Sequence, residues 1–130
     1  VRWDGHVRPS GQMWAAGSER FDRTRSYELH SNVTLFALAH FYTGERAFAR
    51  KAVQLARVWW LDPKRSLLPT LEFAQFSRPR PERASGVIEM KDLTWTLDAV
   101  ALLKRTTVWT DDDSKRMGTW CRAYAKWLDQ

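Results

Sequence analysis

From Ser26 onward the apolar positions fall into helical spacing. Leu29, Val33, Phe36, Ala37 and His40 follow a period of about 3.6 residues, and Leu35, Leu38 and Phe41 make a second side apolar as well. A helix that is apolar nearly all round is expected to lie between layers. Gly44, within Tyr42-Thr43-Gly44-Glu45, predicts its stop, and Glu45 opens the next first turn. A second helix is expected over residues 45–60, with Phe48, Ala52, Leu55, Ala56 and Trp59 on one face and Arg46, Arg50 and Arg57 outside. Asp62-Pro63 ends it, because a residue before proline is pushed out of the helical region.

A third helix is expected over 88–105, with Leu93, Leu97, Val100 and Ala101 on one side and Trp95, Ala99 and Leu102 on another. The fourth has the plainest start. Thr110 and Asp113 stand at capping-box spacing, Asp111 and Asp112 suit the positive end of a helix, and Met117, Trp120, Cys121, Tyr124, Trp127 and Leu128 form one stripe. No alternating strand pattern of useful length occurs, so the expected class is all-α, built from antiparallel helical hairpins. A weak internal repeat agrees: a shift of 67 residues superposes Trp60-Leu61-Asp62 on Trp127-Leu128-Asp129, Thr43 on Thr110, Ala56 on Ala123 and Val33 on Val100. Units of this kind bury their faces by stacking on neighbours, and two seldom suffice. The expected organisation is a single partial domain over 1–130: an irregular opening segment (1–25), a first helix pair (26–62), a loop (63–87) and a second pair (88–130).

Composition narrows the setting. Eight tryptophans and 44% hydrophobic residues in 130 exclude a disordered chain, and no apolar run approaches the ~20 residues that span a bilayer. Val1 is followed by no secretion-signal pattern, which reads as a processed chain or a piece of a longer one. The net charge of +6 suits an acidic partner as well as an ordinary basic surface. Nucleic acid is not expected, since the arginines are scattered over helices and loops without a recognition-helix pattern. No membrane partner and no cofactor are expected.

Candidate chemistry is sparse. Cys121 lies in an apolar stripe, where a small buried thiol is the ordinary reading, and one cysteine can form neither an internal disulfide nor a cysteine zinc site. His30 and His40 are nearly three helical turns apart, so one metal ion cannot take both, and no metal site is expected. His40 reads as a core histidine. His30, beside Ser31 and Asn32 near a helix start, reads either as core or as facing a ligand. The run Asp111-Asp112-Asp113 reads as helix-start chemistry. The loop is more telling. Arg78 and Arg80 alternate with Pro79 and Pro81, which no helix can cross, so they stand on an exposed loop open to an anion. Gln75 ends the apolar run before them, and its amide, costly to bury alone, suits the edge of a cavity.

The order of "VRWDGHV-RP", "LFALAHFYTGERAFARKAVQLARVWWLDP", "LLPTLEFAQ", "GVIEMKDLTWTLDAVALL", "WTDDD" and "WCRAYAKWL" resembles the alginate lyase superfamily. Members of the nearest branch read Asp-Gly-x-Val-Asn-Pro, Tyr-x-Thr-Gly-Asp, Trp-Phe-Leu-Asp-Pro, Met-Asn-Pro-Asn-Leu-x-Tyr-Ala-Gln and Gly-Ile-x-Asp at these places. This chain departs at Arg8 for Asn, Thr70 for the second Asn, Phe73 for Tyr, and Glu89 near the usual Asp. The resemblance implies part of an incomplete (α/α) toroid, secreted or periplasmic, that cleaves 1,4-linked uronate polymers by β-elimination. It implies catalysis by an Asn-Asn-His segment and a Tyr with a nearby Arg, none matched in these residues, so no catalytic residue is assigned. The implied partner is an acidic polysaccharide, which Gln75, matching the glutamine of the family's Tyr-Ala-Gln, is expected to contact; the residue pattern itself adds Arg78, Arg80, His30 and Asn32 as expected contacts.

A different class is a non-catalytic helical-repeat module that binds an anionic polymer or a protein. If the chain is a partial toroid, apolar faces should stand open, to be covered by the remainder of its own polypeptide or by another chain. Joint burial of Leu29, Phe36, Trp95 and Trp127 would instead mark a closed bundle.

Overall fold

The computed structural model of the chain describes residues 22–71 and 84–129. Four α-helices carry the fold: α1 (Asp22–Thr43), α2 (Arg46–Ala56), α3 (Leu93–Leu103) and α4 (Asp111–Leu128). A π-helical turn, Arg57–Leu61, continues α2, and a 3-10 helix, Ala84–Met90, leads to α3. No strand occurs among the described residues. The all-α expectation holds. The first helix begins at Asp22, four residues before Ser26, and the expected third helix divides into the 3-10 helix, a turn at Lys91 and Asp92, and α3.

The turn between α1 and α2 follows from its residues. Gly44 adopts φ 73°, where a side chain would be strained, and its N–H reaches His40 O at 2.8 Å to close the helix end. His40 Nδ1 donates to Glu45 O at 3.0 Å across the same turn. It is a half-exposed latch on this turn and not the core histidine expected, because the stop at Gly44 brings the backbone of Glu45 back within reach of its ring.

α2 buries Ala49, Ala52, Val53 and Ala56, small side chains that let it approach α1 closely, and Phe36 of α1 stacks on Phe48 at 6.3 Å. The buried stripe is therefore turned by a residue from the expected one: Phe48, Leu55 and Trp59 lie at its border, while Trp60 and Leu61 go inside. At the π turn Asp62 N–H bonds Arg57 O at 2.8 Å, and extended Asp62 precedes Pro63 as expected. α4 starts on a complete capping box, with Thr110 Oγ accepting from Asp113 N and the Asp113 carboxylate accepting from Thr110 N. Met117, Trp120 and Tyr124 are buried along it.

α1 and α3 lie side by side and parallel. Tyr27 meets Glu89 and His30 meets Thr96, so both pairs join the early turns of the two segments. The start of α4 sits against the end of α2: Trp60 and Trp120 pack edge to face at 6.5 Å, and Trp120 Nε1 donates to Leu67 O at 2.7 Å. Shifting α2 and its π turn by the repeat length lands on residues 113–128, inside α4, while α1 shifted the same way lands on 89–110, of which α3 covers Leu93–Leu103. One side of the α1–α3 layer stays open. Leu29 is buried and Phe36 and Trp127 are half-buried, but Trp95, Leu35, Leu38 and Tyr42 are exposed. The closed-bundle condition is not met.

Candidate functional site

The early turns of α1 and α3 gather the polar side chains of the interior. Ser26, His30, Glu89 and Thr96 are all buried there. Tyr27 OH donates to Glu89 Oε2 at 3.0 Å, and the Lys91 ammonium lies 5.6 Å from the Tyr27 ring centroid and 3.1 Å from Asp92 Oδ1. His30 Nδ1 lies 2.6 Å from Thr96 Oγ, and the Thr96 hydroxyl lies 3.3 Å from Asp92 O. A hydroxyl has one proton. With that proton on Asp92 O, His30 Nδ1 is the donor to Thr96 and Nε2 keeps its lone pair. That Nε2 is buried without a hydrogen-bond partner, and the ring lies against Trp60 at 5.5 Å.

Burial holds the His30 pKa at about 4, against a weaker opposing pull from Asp92. The imidazole is neutral at ordinary pH and closed to solvent, so its contribution to this site is the bond between the hairpins. Of the other residues assigned to substrate contact, Asn32 is exposed on α1, two positions after His30. Gln75, Arg78 and Arg80 lie outside the described residues, as does Phe73. The segment that carries them has fixed flanks: Leu67 and Leu71 are buried, Leu67 O takes the Trp120 N–H, and Glu89 is tied to Tyr27.

A second cluster stands where α2 ends and α4 begins. Arg57, expected outside, places Nε 2.9 Å and Nη2 2.6 Å from the two oxygens of Asp113, and Nη2 also donates to Val108 O. These bonds hold the Asp113 carboxyl down at about 2. Arg116 pairs with Asp112 and donates to Leu61 O. An open cleft of about 550 Å³ lies between these residues, Asp62 and Lys64. Both of its arginines are already engaged by acids and backbone carbonyls, so the cluster reads as a joint between hairpins.

Burial pushes the Cys121 thiol up against the pull of Lys104 and Arg122, which matches an unreactive stripe position. Among the described residues, no three His, Cys, Asp or Glu side chains could hold a metal ion, and no helix is long and apolar enough to cross a membrane. The contacts missed from sequence are Tyr27–Glu89 and His30–Thr96. They are too distant along the chain for any local pattern, although a polar Thr96 in an apolar helix is itself a signal.

A family model described as alginate lyase matches residues 2–130. The fold is similar to the crystal structure of an alginate lyase from Bacteroides ovatus, with a TM-score of 0.81 and 26% sequence identity, covering 100% of this chain and 33% of that one. The chain thus spans about a third of that lyase's length. Comparison with curated proteins finds no match.

Proposed function

Because the chain belongs to the alginate lyase family, we propose that it forms part of a polysaccharide lyase cleaving 1,4-linked uronate polymers by β-elimination. The reaction needs three roles. A positive or hydrogen-bonding group must neutralise the C5 carboxylate so that the α-proton becomes acidic, a base must take that proton, and an acid must protonate the leaving O4. We assign these to an Asn-Asn-His segment, a Tyr and an Arg outside these 130 residues. His30 is oriented as a base would be, but its Nε2 is buried and its pKa of about 4 makes it a weak proton acceptor at neutral pH. A polymeric substrate cannot cross a membrane unaided, so the enzyme would act outside the cytoplasm, secreted or periplasmic.

The observation that carries this reading is the family match over nearly the whole chain, together with an α1–α3 layer left open on one side. The exposed Leu35, Leu38 and Tyr42 recur at helical spacing, the pattern of a face that packs on further helices. In this reading residues 67–92 form one wall of the groove. Its described flanks are anchored, Gln75 offers its amide to a sugar hydroxyl or carboxylate, and Arg78 and Arg80 add positive charge at the rim.

The test is direct. Full-length protein should release 4,5-unsaturated uronate from polymannuronate, polyguluronate or polyglucuronate, followed by ultraviolet absorbance, while residues 1–130 alone should release none. Product from residues 1–130 would overturn the placement of the catalytic groups. Binding without cleavage by the full-length protein would favour the non-catalytic module. Gln75→Ala in the full-length enzyme should lower kcat/KM by about 3- to 100-fold, the range of one neutral to charge-assisted hydrogen bond, at unchanged melting temperature. A lower melting temperature with intact efficiency would make Gln75 architecture only.

A further inference from the structure

One face of α1 is exposed along the helix, and its chemistry changes partway. Arg25, Glu28, Ser31 and Asn32 recur at helical spacing through the first half, and Leu35, Leu38 and Tyr42 continue the same stripe through the second. The change is abrupt: Leu35, the next exposed residue after Asn32, is 59% exposed, and Tyr42 is 79% exposed. α3 repeats the division. Counted from the turn before it, its exposed stripe reads Lys91, Thr94 and Asp98, then Ala101. Trp95 falls at the edge of that stripe, about 100° round the helix from Thr94. The His30–Thr96 bond sets the two parallel helices 66 positions apart in register, so residues 94–98 stand level with 28–32, and Ala101 with Leu35. The open side of the layer is polar where the helices begin and apolar or small where they run on.

We propose that a further helix of the same polypeptide packs on the second half alone, over Leu35, Leu38 and Tyr42 beside Ala101, and leaves the polar half in water. This deepens the partial-domain reading above and rests on it, but on no part of its chemistry. Burying Glu28, Asn32, Thr94 and Asp98 under an apolar helix would strand charges and polar groups without partners, whereas Leu35, Leu38 and Tyr42 gain by leaving water. The occupant follows from length. The similar lyase from Bacteroides ovatus matches the whole of this chain with only 33% of its own, so a protein of that size has the other two-thirds from which to supply the covering helix. The polar end is also the end at which the chain enters α3 from the 3-10 helix, so any groove along this face opens there.

The experiment uses the full-length protein with one cysteine introduced at a time, and follows alkylation of that position by iodoacetamide from peptide masses. Leu35→Cys and Tyr42→Cys should react about tenfold more slowly than Asn32→Cys and Thr94→Cys in the folded protein, and all four should react alike in urea. Leu35→Ala should lower the melting temperature by several degrees and Asn32→Ala should leave it unchanged, a reading that stands where a cysteine variant fails to fold. The protection should persist on dilution, in protein that light scattering finds monomeric. Protection lost on dilution would assign the face to a second copy and overturn the proposal. Labelling of Leu35→Cys as fast as that of Asn32→Cys would overturn it too, as would equal protection of Asn32→Cys and Thr94→Cys. None of these readings depends on turnover. Failure of the full-length protein to cleave any uronate polymer would overturn the lyase reading and leave the covered face standing.

Discussion

Asp113→Ala is expected to destabilise the protein by about 3 kcal/mol, because it removes a buried carboxylate at this joint. The carboxylate is 5% exposed and accepts four hydrogen bonds, two from Arg57 and two from Thr110. Each charge-assisted bond contributes about 1.5–3 kcal/mol net, and loss of an N-terminal cap costs about 1. Arg57 is 44% exposed and can turn to water, which keeps the total below the sum. Thr110→Ala should cost about 1 kcal/mol, since it removes the cap and leaves the ion pair. Asp112→Ala should cost less than about 1 kcal/mol, because its pair with Arg116 lies at the surface. Urea denaturation of the three variants ranks them. An Asp113→Ala cost no larger than that of Asp112→Ala would show that the joint does not hold the hairpins. The sign with pH follows from the lowered pKa. The pair stabilises fully above the ordinary carboxylate value and is lost as pH falls through about 2.

What could be read from the sequence divides by range. The stop at Gly44 and the start at Thr110 and Asp113 are set within four residues, and both were legible because a positive φ and a capping box need particular residues at particular spacings. The buried face of α2 was placed a residue off. Alanines and valines lie on both sides of the expected stripe, and contact with α1 decided among them. Arg57 falls outside the apolar face by helical spacing, and its partner Asp113 is 56 residues on, beyond any local pattern. Trp95, placed on a second apolar side of its helix, is exposed, in keeping with the open faces expected of a partial toroid. The residues expected from sequence to meet substrate divide similarly. Asn32 is exposed, whereas His30 is taken inward by Thr96, 66 residues away. Family resemblance reached further than periodicity here, because motif order along the chain records the tertiary contacts that local spacing does not.

The His30 contact makes the fold acid-sensitive over a defined window. In the unfolded chain its imidazole titrates near 6.5, while burial lowers the folded value to about 4. Above the unfolded value both states are neutral and the residue adds no pH dependence. Between the two values the unfolded chain binds a proton that the folded protein refuses, so stability falls as pH falls. The loss reaches about 3 kcal/mol near pH 4 and then levels off. The groups around the ring account for the direction. Burial against apolar Trp60, with Nε2 lacking a partner, disfavours the cation, and the Asp92 charge opposes that shift only in part. Asp113 titrates below this window, so its joint with Arg57 stays intact through it. His30→Gln removes the titration while keeping an amide that can bond Thr96. The stability difference between wild type and His30→Gln, measured by urea denaturation from pH 7 to pH 4, should therefore shift by about 3 kcal/mol against the wild type on acidification. The shift should bring exposure of Trp60, visible as a red-shifted fluorescence component at lower urea. Stability curves that run parallel through that range would mean the imidazole is protonated in the folded protein, and the buried, neutral bond between α1 and α3 would have to be abandoned.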